Sequence, residues 1–88
     1  MLEIELNNLV HRLEAIAKAN HDEFGYEIKL IMSRGKLCYR FVCYEKAEYN
    51  EFITSDAGNT ILEVVNNAAA EIPAACEKWS YINPEDVV

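Results

Sequence analysis

The stretch from Tyr26 to Tyr44 constrains this chain more than any other, because its strand pairing can be worked out from the letters. Tyr26, Ile28, Leu30 and Met32 alternate with Glu27, Lys29, Ile31 and Ser33. After Arg34-Gly35 the alternation resumes, with Leu37, Tyr39, Phe41 and Cys43 set against Cys38, Arg40, Val42 and Tyr44. A two-residue loop at Arg34-Gly35 closes a β-hairpin and pairs Ser33 with Lys36. Met32 then faces Leu37, Leu30 faces Tyr39, Ile28 faces Phe41 and Tyr26 faces Cys43. These eight side chains share one face, and a slip of one residue would scatter them. They are the expected core face of a small antiparallel sheet.

Around that hairpin the chain offers helices. Leu2, Leu6, Leu9, Leu13, Ile16 and Asn20 step by four and three, which is one face of a helix over residues 2–20. Acidic residues open it and Lys18 closes it, as the helix dipole favours. His21 to Gly25 reads as a connecting loop in which Gly25 is free to take a positive φ. A short third strand over 49–54, at a sheet edge guarded by Glu48 and Glu51, follows a polar turn at 45–48. Thr60 with Glu63 forms a capping box that opens a second helix. Ile61, Leu62, Val65, Ala68, Ala69 and Ile72 make its buried stripe. Pro73 predicts a kink there, or a break with a second helical piece over 73–80. Residues 83–88, with Asn83-Pro84-Glu85-Asp86 at their head, read as one loose turn or a tail. The expected fold is α+β: a single domain over 1–88, in two layers ordered α-β-β-(β)-α, with both helices on the Ile28, Leu30, Tyr39 and Phe41 face.

The same element order occurs in double-stranded RNA-binding domains, but their second helix opens with basic residues that meet phosphates. Here that helix opens Asn59-Thr60-Ile61-Leu62-Glu63 and carries no Lys or Arg before Lys78. The likeness is one of topology, and the charge opposes the function. Residues 1–40 balance six basic against six acidic side chains, whereas residues 41–88 hold two against nine and supply the whole net charge of −7. That asymmetry disfavours nucleic acid and anionic membranes and suits a basic protein partner. The basic residues of the hairpin, Lys29, Arg34, Lys36 and Arg40, are the place for a weak nucleic-acid contact. No apolar run reaches bilayer length, and Leu2-Glu3-Ile4-Glu5 does not read as a secretory leader. Three cysteines without close paired spacing fit a reducing, cytoplasmic setting.

Chemistry is sparse. His11 and His21 are too few for a metal centre, Cys43 and Cys76 read as core thiols, and Cys38 reads as the most exposed of the three. Gly25, Gly35 and Gly58 form no phosphate-binding motif. No enzyme activity, metal or cofactor is expected. The outer sheet face is the more telling feature: Ile31, Cys38, Arg40, Val42 and Tyr44 point away from the predicted core, and Phe52 or Ile53 would extend them. If the helices lie on the other face, this mixture of aliphatic, aromatic and Arg side chains resembles an interface. The competing expectation is that Trp79, Tyr81 and Ile82 fold over it. Glu45, Glu48, Glu51 and Asp56 form a second candidate surface, acidic, for a basic or nucleic-acid-binding protein. The sequence therefore reads as a small acidic protein-interaction module, of the compact, motif-free kind found among accessory proteins of bacteria and their phages. The alternatives are a structural homo-oligomer, a homodimer being the simplest, and a weak nucleic-acid binder using the hairpin tip.

Overall fold

The computed structural model describes residues 2–86, so the last two residues of the turn or tail expected over 83–88 lie outside the described residues. Helix α1 runs over Leu2–Ala19, strands β1 and β2 over Phe24–Ser33 and Lys36–Glu45, strand β3 over Glu51–Thr54, and helix α2 over Ile61–Trp79. A single 3-10 turn follows at Pro84–Asp86. The three strands form one antiparallel sheet in the order β1-β2-β3, and the helices pack on one face of it. The fold is α+β, with the expected order of elements.

The hairpin register is the one derived from the alternation: Ser33 pairs with Lys36, and the ladder runs through Ile28–Phe41 to Phe24–Glu45. Arg34 and Gly35 have φ of 52° and 76°, both positive, as a tight turn matched to the strand twist requires. Gly25 lies inside β1, and its φ is not positive. It is glycine for space. A Cβ there would come within 2.5–2.6 Å of the Tyr44 phenol group.

Both helices end in the same way. His21 and Ser80 take the left-handed conformation (φ 56° each) that glycine usually occupies. Asp22 N–H reaches Ala17 C=O at 2.8 Å, and Tyr81 N–H reaches Cys76 C=O at 2.8 Å. At the start of α2, Thr60 Oγ1 accepts the Glu63 N–H at 3.1 Å, and the Glu63 carboxylate accepts the Asn59 N–H. Of the kink or break expected at Pro73, the break does not occur; α2 is one element. Pro73 is exposed, while Ile72, Ala75 and Cys76 around it are buried, so packing holds the helix on both sides of it. The missing N–H deprives only the Ala69 carbonyl of its helical donor.

The core contains Leu9, Leu13 and Ile16 of α1, Val64, Val65, Ala68 and Ile72 of α2, and Phe24, Phe41 and Cys43 of the sheet. Strand β3 adds Phe52 and Ile53, two adjacent residues that a regular strand would send to opposite faces. A bulge resolves the conflict: Cys43 pairs with Ile53 and Tyr44 with Glu51, so Phe52 is the extra residue. Both side chains enter the core, and neither extends the outer face as expected. Phe24, Phe52, Trp79 and Tyr81 form an aromatic cluster, with Phe24 and Phe52 stacked at 4.9 Å and Trp79 edge-on to Phe52 at 5.4 Å. The C-terminal segment therefore closes the helix side and does not cross the outer face.

Candidate interaction surfaces

The five outer-face residues do share one side of the hairpin, but they do not form an open apolar patch. Cys38 and Val42 are 8% and 3% exposed, and Ile31, Arg40 and Tyr44 are half-buried. Cys38 is thus the least buried thiol and still a buried one. Tyr44 lies across Gly25, and its ring meets Tyr49 at 5.7 Å. Glu27, Lys29, Val42, Tyr44, Tyr49 and Glu51 line a shallow depression there. This face covers its own aliphatic residues with rings and long polar side chains. One tension is built into it: Lys29 stands directly opposite Arg40, and Arg40 Nε is buried without a hydrogen bond to any described residue. Like charges facing each other across strands are destabilising.

The acidic set also divides. Glu45 is 5% exposed, and its carboxylate accepts the N–H groups of Glu48 and Asn50 at 3.0–3.2 Å. It shapes the loop between β2 and β3, so it does not belong to a partner surface. Glu48, Glu51 and Asp56 are exposed as expected. Glu51 accepts a hydrogen bond from Thr54 Oγ1.

The larger correction concerns the face read as core. Near the base, Phe24, Phe41 and Cys43 are buried, and Tyr26 and Tyr39 are partly so. Toward the tip, Leu30, Met32 and Leu37 are 61%, 66% and 64% exposed, and Ile28 is exposed as well. The helices stop short of this half. Leu2, expected on the buried stripe of α1, is exposed, and so is its neighbour Ile4. Between them, Leu6 and Val10 of α1 and Tyr26, Ile28 and Phe41 of the hairpin line a groove. Alternation assigned these residues to the correct face but could not say how far along it the cover reaches. The available signal was length: β3 has four residues beside two strands of ten, so the sheet is three strands wide only at its base.

The edge of β1 is open as well. Tyr39 exchanges backbone hydrogen bonds with Gly58, and Phe41 donates to Ser55 Oγ, so the odd-numbered residues of β2 turn toward β3. The even-numbered ones turn toward Gly25, Glu27, Lys29 and Ile31 of β1. Tyr26, Ile28, Leu30 and Met32 therefore direct their N–H and C=O groups outward, since among the described residues no strand lies outside β1.

Burial works against activation of the two core thiols. Burial, with Glu14 and Asp22 nearby, pushes the Cys43 thiol up to about 12, and burial also raises Cys76. Tyr26 donates to Glu14, and its hydroxyl is raised by burial first and by that bond second. Among the described residues no cluster of three His, Cys, Asp or Glu side chains is placed to hold a metal ion, and no helix is long and apolar enough to cross a membrane. No protein family, curated protein or solved structure matches the chain.

Proposed function

We infer that this chain is a non-enzymatic protein-interaction module whose binding surface is the helix-side face of the distal hairpin. One observation carries the reading: Leu30, Met32 and Leu37 are contiguous across the strand pair, large, apolar and more than half exposed. Contiguous apolar patches on a small domain are characteristic of contact surfaces, and scattered single residues are not. Leaving such side chains in water forfeits about 1.5–3 kcal/mol each relative to burial, which a partner can recover. The outer face, with Cys38 and Val42 already covered, offers less. The net charge of −7 directs the search toward polypeptides and away from nucleic acid.

The test is a benzophenone amino acid placed at Leu30, or at exposed Glu71 of α2 as a control, in cells producing the protein. Light should give discrete protein adducts from position 30, lost when Met32 is changed to Glu, and none from position 71. Equal adducts at both positions, or none at Leu30, would overturn the reading.

A further inference from the structure

We propose that the partner of this surface is a second copy of the chain, joined to the first edge to edge through β1 in the antiparallel register that sets Ile28 against Ile28. The inference rests on the interaction reading above and identifies its occupant.

The open edge comes first. β1 is ten residues long, and Tyr26, Ile28, Leu30 and Met32 present unpaired backbone groups along it. An exposed edge of this length invites another strand, and natural proteins ordinarily blunt such edges with charge, proline or bulges. No proline occurs in β1, and its described pairing with β2 is regular throughout. Three of these residues, Ile28, Leu30 and Met32, also carry exposed apolar side chains, so an added strand gains backbone hydrogen bonds and apolar contact together.

Charge then selects both the partner and the register. The outward backbone groups belong to even-numbered residues, so a β1–β1 ladder must pair even with even about a two-fold axis. An axis at Lys29 would place Lys29 against Lys29, beside the like-charged Arg40 of each copy. Centring on Glu27 would oppose two carboxylates, and centring on Leu30 would leave Lys29 facing Ile31. Only an axis at Ile28 sets Glu27 of each copy opposite Lys29 of the other, in the closely spaced, non-hydrogen-bonded positions of the ladder. It supplies a carboxylate next to the Lys29–Arg40 pair, whose directly opposed positions within the described hairpin are both basic. On the helix side the same register pairs Ile28 with Ile28, Leu30 with Tyr26 and Met32 with Phe24. Leu30 of one copy then arrives beside the groove that Leu6, Val10, Tyr26 and Ile28 form on the other. The result is a continuous six-stranded sheet.

The experiment uses the purified, reduced full chain, with light scattering over a dilution series. The wild type should show twice the 10.1 kDa chain mass. Glu27→Lys and Lys29→Glu each act twice across the two-fold axis and should raise the dissociation constant by roughly ten-fold or more. The double variant Glu27→Lys/Lys29→Glu restores both pairs and should dimerise again. Register is read separately under mild oxidation. Ile28→Cys brings its two sulfurs together across Cα atoms about 5.5 Å apart and should form a covalent dimer. Leu30→Cys places them roughly 14 Å apart and should not. Cross-linking by Leu30→Cys in place of Ile28→Cys would overturn the register. A wild-type monomer at every concentration, or equal dimerisation by single and double charge variants, would overturn the proposal. If position 30 still gave adducts with another protein, the interaction reading would survive that result and self-pairing would not.

Discussion

Ser55 offers the sharpest test of how this fold is held together. Its hydroxyl is 1% exposed, accepts the Phe41 N–H at 2.9 Å and donates to the Asp56 C=O at 3.1 Å. β3 ends at Thr54, so Phe41 has no strand residue to receive its N–H, and the hydroxyl takes that place in the ladder. Ser55→Ala removes the acceptor and leaves the amide inside the protein, while Ser55 N–H still bonds to Phe41 C=O. An orphaned buried donor costs about 1–3 kcal/mol. The total stability expected for 88 residues is roughly 4–13 kcal/mol, so the loss is a large fraction of it. At about 4–8 °C per kcal/mol, the melting temperature should fall by roughly 8–16 °C for a 2 kcal/mol change. Urea unfolding followed by circular dichroism checks the midpoint, and hydrogen exchange at the Phe41 amide should lose protection. Thr54→Ala is the control: its hydroxyl bond to Glu51 is exposed, and its removal should stay within about 0.5 kcal/mol. A Ser55→Ala protein as stable as the Thr54→Ala control would refute the account of how the ladder ends.

Ser80→Gly should stabilise the protein by up to about 1 kcal/mol in the same urea assay, because Ser80 holds the left-handed position that closes α2. Glu45→Gln should destabilise by about 1.5–3 kcal/mol, since two backbone N–H groups lose a charged acceptor, whereas Glu48→Gln should change little. Alkaline pH should weaken the fold. Cys43 rises from 9.0 to about 12 and Tyr81, through burial and its bond to Asp22, from 10.0 to about 12. Each group binds its proton more tightly folded than unfolded, so its contribution is complete below pH 9 or 10 and is lost toward pH 12. Unfolding midpoints across pH 8–12 should show that decline, and Tyr81→Phe should make it shallower.

The pairing of β1 with β2 was legible because a period of two and a two-residue loop leave one register that keeps apolar residues together. Thr60 and Glu63 were legible because capping is a local matter. Extent of cover was not: whether Leu30 and Met32 are buried depends on where the ends of α1 and α2 fall, and alternation carries no such information. Phe52 and Ile53 defeated the same rule, since a bulge cancels the period for one residue. Glu45 looked like surface charge, yet the loop beyond it needed an acceptor and drew it inward. Val42 looked open because a pattern of letters does not show the Tyr44 ring lying across Gly25 and the outer sheet face. Pro73 left a break open beside a kink because its ring and missing N–H were weighed without the buried residues that anchor the helix on either side of it.

The joining of the chain's two ends also bears on the order in which the molecule assembles. The Asn20 amide donates to Ile82 C=O and accepts from Ile82 N–H, both at 2.8 Å, in the manner of two backbone groups paired across a ladder. Tyr81 donates to Asp22, and Arg12 meets Glu85 at 2.6 Å. These contacts close a loop of more than sixty residues, and the entropy lost in closing it is recovered only when the elements between are already in place. The hairpin, whose contacts are local, can form before them. Contact order therefore predicts that the C-terminal clasp locks last and opens first, with the Asn20 side chain just beyond α1 as its latch.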